Sequence, residues 1–165
     1  MTGTPRPVRI AVLGAAHPDV EEYEGARRLG RSLAELGAVV LCGGLGGVME
    51  AVARGAREAG GTTVGVLPGP DPRAANEWIT LPLATGMGEA RNALLVRFGE
   101  AAVAVGGAWG TLSEIALARK MGRAVVALGT SVAGRADIPV ELDPSAAARW
   151  AVKAAKTSRE KHSGG

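Results

Sequence analysis

Glu114 lies in the stretch AVGGAWGTLSEIALA, residues 104–118, where a small-residue run passes through Gly106, Gly107 and Gly110 into Thr111. A carboxylate at that place has two uses. The Thr111-Leu112-Ser113-Glu114 spacing matches a capping box, in which both side chains satisfy orphan backbone amides at a helix start. The same glutamate, just past a glycine loop, could instead act on a bound ligand. Arg91 is the second such residue. In TGMGEARNALLVRF, residues 85–98, a helical projection places Met87, Ala90, Leu94, Leu95 and Phe98 on one apolar stripe with Arg91 inside it. A guanidinium in a buried stripe is costly unless it is paired or faces a polar cavity. Its partner is Glu89 or another nearby carboxylate, or its head snorkels out of the stripe, or it meets a ligand anion in a site shared with Glu114.

Three loops follow strands: Gly14-Ala15-Ala16-His17-Pro18, Gly43-Gly44-Leu45-Gly46-Gly47 and Gly106-Gly107-Ala108-Trp109-Gly110-Thr111. Glycines there let backbone approach a phosphate, and a following helix offers free N–H groups and a favourable dipole. Taken singly, each cluster is equally well read as a tight turn. Neither a Gly-Lys-Ser/Thr P-loop nor G-x-G-x-x-G is present. The second strand ends in Leu41-Cys42-Gly43, without the acid that holds a ribose of NAD. A pyridoxal-phosphate enzyme needs a Schiff-base lysine, and through residue 150 the only lysine is Lys120, within a helix beside Arg119. His17 reads as a polar loop residue or a ligand donor, and Glu50 as an acid favoured in a first helical turn. By position alone, Asn92 and Ser113 are candidate ligand contacts.

These residues are positioned by short β-branched runs alternating with longer Ala/Leu/Arg stretches. Strands are expected near 8–13, 39–42, 62–67, 78–83, 101–105 and 124–128, and helices near 20–36, 48–59, 87–98 and 111–121. Such alternation predicts an α/β fold with a parallel, doubly wound sheet. Its ligands bind beyond the strands' carboxyl ends. PGPDP, residues 68–72, reads as a rigid loop, and 129–143 as a loop with a short edge strand. Asp143-Pro144 opens a terminal helix over 144–155. One domain over 1–158 is expected, with a disordered tail at 159–165.

The chain has 165 residues and a formal net charge of +3, but through residue 150 it carries 15 Lys+Arg against 15 Asp+Glu. The basic excess therefore belongs to a solvated C-terminal segment with Lys153, Lys156, Arg159 and Lys161. Aromatics at 3% supply no base-stacking set, so no nucleic-acid partner is expected. Cys42 is the one cysteine, which excludes an internal disulfide and a cysteine-based zinc site and fits core filler in a reducing cytoplasm. No metal site and no membrane partner are expected, since no apolar run approaches ~20 residues.

The segments LCGGLGGVMEAVARGA, TGMGEARNALLV and GGAWGTLSEIALA, in that order, resemble the LONELY GUY (LOG) superfamily, formerly labelled "possible lysine decarboxylase", especially its branch with molybdenum-cofactor carrier proteins. The resemblance runs from Val8 to Leu128. It implies a three-layer Rossmann-like sheet of six or seven strands with helices on both faces, and a homodimer. In LOG enzymes Pro-Gly-Gly-x-Gly-Thr-x-x-Glu binds phosphate and supplies the catalytic glutamate; here the pattern reads Gly106-Gly107-Ala108-Trp109-Gly110-Thr111-Leu112-Ser113-Glu114. The family's Arg-Lys pair is Arg91-Asn92 here. Arg91 and Glu114 are thus the implied catalytic residues. Gly107, Trp109, Gly110, Thr111 and Asn92 join Gly14, Gly43, Gly44 and Gly46 as ligand- and phosphate-binding candidates.

Two activities follow. The first is a phosphoribohydrolase that cleaves the N-glycosidic bond of a nucleoside 5′-monophosphate, giving base and ribose 5-phosphate without a required cofactor. Its oxocarbenium-like transition state would be served by a carboxylate near the sugar. The second is a non-catalytic binding or carrier protein for a phosphate-bearing ligand such as molybdopterin or a nucleotide. Retained Arg91 and Glu114 favour the first; Asn92 and Gly106, in place of the family's lysine and proline, favour the second.

Overall fold

Ile10 and Val12 point to one side of their strand, and Ala11 and Leu13 to the other, and both sets are buried. Two-sided burial is the mark of a parallel sheet with helices on both faces. The computed structural model, which describes residues 3–130 and 136–164, has such a sheet. Strands β1 (Arg9–Gly14), β2 (Val39–Cys42), β3 (Thr63–Leu67), β4 (Leu81–Ala84), β5 (Ala101–Val105), β6 (Ala124–Leu128) and β7 (Val140–Glu141) run parallel in the order β4-β3-β2-β1-β5-β6-β7. Helices α1 (Val20–Glu35), α2 (Val48–Glu58) and α5 (Pro144–Ser163) cover one face; α3 (Arg91–Phe98) and α4 (Trp109–Lys120) cover the other. The chain winds outward from β1 to β4, then returns to lay β5 on the opposite side of β1. The loops after β1 and β5 diverge at this switch point, where open α/β sheets bind ligands.

Local chemistry starts the helices. Asp19 caps α1 by accepting from the Glu22 N–H at 2.8 Å, while Glu22 accepts from the Asp19 N–H at 3.1 Å. This is a complete capping box. Helices α1 and α2 then pack backbone to backbone: a Cβ on Gly30 would lie 2.0 Å from Val52 O, and one on Gly55 1.8 Å from Arg27 O. Arg27 closes that seam with two bonds to the Glu58 carboxylate, at 3.0 and 2.9 Å.

Four elements differ from expectation. Helix α4 begins at Trp109, so Thr111 and Glu114 form no capping box; the N-cap is Ala108, which has no side-chain acceptor. The expected helix over 87–98 is a 3-10 turn at Gly88–Ala90 followed by α3, because Gly86 and Gly88 take φ of 64° and 58°. Its buried residues are Leu95 and Val96, while Met87 and Phe98 are 47% and 41% exposed, so the stripe drawn through Met87, Ala90 and Phe98 is not a core face. Strand β4 starts at Leu81 instead of Trp78, whose N–H is taken by Asn76 Oδ1. Finally, the tail expected to be disordered from residue 159 is helical through Ser163. Arg159 pairs with Glu100 and donates to Arg6 O and Pro7 O at 2.7 and 2.8 Å. Part of the expected loop over 129–143, residues 131–135, lies outside the described residues, as does Gly165.

Candidate functional site

Arg91 opens α3, and its guanidinium reaches back to the sheet. Nη1 donates to Gly43 O at 2.7 Å and to Val66 O, joining the carboxyl ends of β2 and β3. The bland partner expected for it, Glu89, is not among these acceptors. Burial lowers the Arg91 pKa from its ordinary value, and the nearby Glu114 and Cys42 oppose that shift. Glu114, on the first turns of α4, faces the same space. Burial pushes its carboxyl up to about 7, against the opposing pull of Arg91. At neutral pH this carboxyl is therefore divided between acid and base forms, the condition for a proton-transfer group or a charge-sensing one.

Between them lies a cavity of about 190 Å³, lined by Gly14, Gly43, Glu89, Arg91, Asn92 and Glu114 among others. The Asn92 Oδ1 and Arg91 Nε are buried without hydrogen-bond partners. Thr111, 2% exposed, buries an unpartnered Oγ1 near the amino end of α4. Buried polar groups are almost always paired. Arg91 and Asn92, the owners of two of these unpaired atoms, line the cavity.

The glycines divide by environment. Gly14, Gly43, Gly44 and Gly47 are required by packing: added Cβ atoms would meet Val48 at 2.4 Å, Met49 Sδ at 2.4 Å, Leu67 at 2.7 Å and Ala16 O at 2.4 Å. The first two loops interlock, and the Val48 N–H at the start of α2 already donates to Ala15 O at 3.0 Å. Gly46 and Gly110 face open space. Neither helix start has a side-chain cap, but the first N–H of α2 is taken by Ala15 O, whereas α4 brings Glu114 to the cavity one turn after its start. Trp109, the first residue of α4, is 80% exposed.

Other candidates lie apart. His17 is exposed on the first loop and Ser113 Oγ donates to Gly110 O at 2.8 Å. Glu50 accepts from the Tyr23 hydroxyl at 3.2 Å, tying α2 to α1. Cys42 is buried core, its thiol pushed up to about 11 by burial. Asn76, which sequence reasoning missed, holds the GGLGG loop by bonds to Gly44 O and Leu45 O. Nothing local in the sequence signals a contact across 31 and 32 positions.

A doubly wound sheet with a glycine loop, an uncapped helix start and an Arg/Glu cavity is shared by several families, and the match over residues 7–158 decides among them. The chain belongs to the SLOG cluster4 family. An uncharacterized protein of Archaeoglobus fulgidus is 46% identical to this SLOG cluster4 chain over 121 residues, 73% of the chain and 80% of the relative. Among solved structures it is similar to the molybdenum cofactor carrier protein of Chlamydomonas reinhardtii, with TM-score 0.82 and 37% identity, covering 92% of this chain and 99% of that one. It is also similar to the molybdenum cofactor binding protein of Rippkaea orientalis, with TM-score 0.80 and 31% identity, covering 86% and 93%. The resemblance drawn from the three motifs, to the branch with molybdenum-cofactor carriers, is therefore correct.

Proposed function

We propose that this SLOG cluster4 protein binds and carries a small, phosphate-bearing planar ligand of the molybdopterin type. The observation that carries the reading is the cavity lined by Arg91, Asn92 and Glu114, with Asn92 Oδ1 left as a buried, unpaired acceptor; α4, which brings Glu114 to it, starts without a side-chain cap. The N–H groups of Gly110 and Thr111 suit a phosphate. Asn92 Oδ1 suits a ring N–H. Among the described residues no group of three or more His, Cys, Asp or Glu is placed to hold a metal ion. Recognition of a metallated cofactor would thus run through its organic part and phosphate. Similarity to proteins described as binding or carrying molybdenum cofactor supports the same reading.

A nucleoside 5′-monophosphate hydrolase is the second reading, favoured by Glu114 and Arg91 sharing one cavity. Against it, Arg91 is engaged with two backbone carbonyls, and the lysine of the family's enzyme pair is Asn92. One substitution tests the carrier. Gly110 faces open space, so Gly110→Asp costs the fold nothing and adds an acid that the helix start favours; it also places negative charge where a phosphate would sit. The protein is loaded anaerobically with molybdenum cofactor, desalted, and its pterin oxidised and quantified by fluorescence. Retention by the wild type and loss in Gly110→Asp are expected; equal retention by both overturns the site. Parallel incubation with AMP, chromatographed for free adenine against Glu114→Gln and Arg91→Ala, returns the hydrolase if base is released only by the wild type.

A further inference from the structure

Consecutive carbonyls of the GGLGG loop are held by two side chains from distant parts of the chain. Arg91 takes Gly43 O at 2.7 Å. Asn76 takes the next two: its backbone N–H donates to Gly44 O at 2.9 Å, and its Nδ2 donates to Gly44 O at 3.3 Å and Leu45 O at 2.8 Å. The same amide's Oδ1 accepts from the Trp78 N–H at 3.0 Å, so both ends of the side chain are engaged. The segment between β3 and β4 thereby folds back and fastens onto the loop that follows β2.

The two grips act on adjoining planar peptide units joined at Gly44. Packing restrains that joint: Gly44 takes φ 80°, and an added Cβ would lie 2.7 Å from Leu67 and 3.2 Å from the Gly65 Cα. Slack at Gly43 is absent: a Cβ there would lie 2.4 Å from Met49 Sδ and 2.9 Å from Arg91 Nη1. A shift at Gly44 therefore passes to Gly43 O and on to the guanidinium that shares the cavity with Glu114. We infer that Asn76 is a positioning residue for the site: by holding Gly44 O and Leu45 O it fixes the GGLGG loop and, through Gly43 O, the seat of Arg91. This deepens the proposed function and rests on the reading that the Arg91–Glu114 cavity takes a phosphate-bearing ligand.

The side chain's chemistry supplies a clean variant. Aspartate has asparagine's shape and still accepts from the Trp78 N–H, but its side chain has no donor for either carbonyl and sets a carboxylate against them, leaving only the backbone N–H of residue 76 on Gly44 O. Asn76→Asp should leave the 68–78 segment folded, free Leu45 O and loosen the loop. Asp71→Ala is the control: it removes the bonds that Asp71 accepts from Arg73 in the same segment without touching Asn76. AMP serves as the probe, with calorimetry for affinity and the Nε–Hε resonance of Arg91 in nitrogen-15 NMR for the position of the guanidinium.

Asn76→Asp is expected to weaken AMP binding about tenfold or more and to move or broaden the Arg91 resonance, whereas Asp71→Ala leaves both within about twofold of wild type. If Asn76→Asp keeps wild-type affinity and an unmoved Arg91 resonance, the inference is wrong. If the wild type binds no AMP and no molybdenum cofactor, the proposed function fails instead. The Arg91 resonance then decides the positioning role separately, since a shift in Asn76→Asp but not in Asp71→Ala supports it and constancy overturns it. Should Asn76→Asp not fold, Asn76→Ser, which loses the amide's reach to Leu45 O, is read by the same resonance.

Discussion

Glu114 concentrates the site's pH dependence in one carboxyl. Its folded-state pKa is raised from 4.5 to about 7 because burial disfavours the charge more than Arg91 favours it. For a carboxyl raised in the folded state, the native protein holds its proton more tightly than the unfolded chain does. The stability gained is full below the unfolded value near 4.5 and is lost as pH rises through 7. Glu114→Gln keeps the shape and removes the charge. It is expected to match the wild type in urea unfolding at about pH 4 and to exceed it by about 2–3 kcal/mol at pH 8, by the usual conversion of pKa shifts to free energy; equal stabilities at pH 8 would refute the burial argument. The types and order of Arg91 and Glu114 were legible in the sequence. The acceptors of Arg91 were not, because Gly43 O and Val66 O are backbone atoms 48 and 25 positions away.

At the scale of elements, β1, β2, β3, β5 and β6 were legible because they are mostly buried on both faces and rich in apolar residues: these five match their expected positions to within a residue or two at each end, whereas the exposed β4 does not. Helix starts were harder. Thr-x-x-Glu at 111–114 and Asp-x-x-Glu at 19–22 offer the same capping chemistry, yet only Asp19 and Glu22 use it. The turn after Gly107 begins α4 two residues before Thr111, which places that threonine in the core, and no local pattern separates the two cases. The seam between α1 and α2 gives the element-scale prediction. Alanine is favoured over glycine in a helix by about 1 kcal/mol, so propensity alone makes Gly55→Ala stabilising. The contact says otherwise: its Cβ would lie 1.8 Å from Arg27 O, and backbone cannot yield as a side-chain tip can. Forced separation of the helices costs about 2–3 kcal/mol and reverses the sign. Urea unfolding of Gly55→Ala should show net destabilisation, and a midpoint at or above wild type would mean that the helices are not so closely packed.

For the whole molecule, part of the exposed apolar surface lies on β4 and along the segment that leads through α3. Strand β4 is an edge strand with Leu81 and Leu83 53% and 38% exposed, and it passes through a glycine turn carrying exposed Met87 into α3, which ends in exposed Phe98. Helix α3 starts beside β3, the neighbour of β4, and ends at β1, where Phe98 O accepts from Arg9 Nε at 2.9 Å, so this flank spans the sheet from β4 to β1. An open strand edge flanked by apolar side chains invites pairing, and Pro82 within β4 removes one ladder donor without hiding those side chains. The homodimer implied by the family resemblance would bury this flank beside the ligand cavity, since α3 also carries Arg91 and Asn92. Phe98 lies at the far end of α3 from that cavity, and its substitution by glutamate disturbs neither the buried Leu95 and Val96 nor the site. Sedimentation velocity at micromolar concentration should find a dimer for the wild type and a monomer of unchanged circular dichroism for Phe98→Glu. A wild-type monomer would leave the flank as an ordinary exposed face, and a dimer that survives Phe98→Glu would place the interface elsewhere.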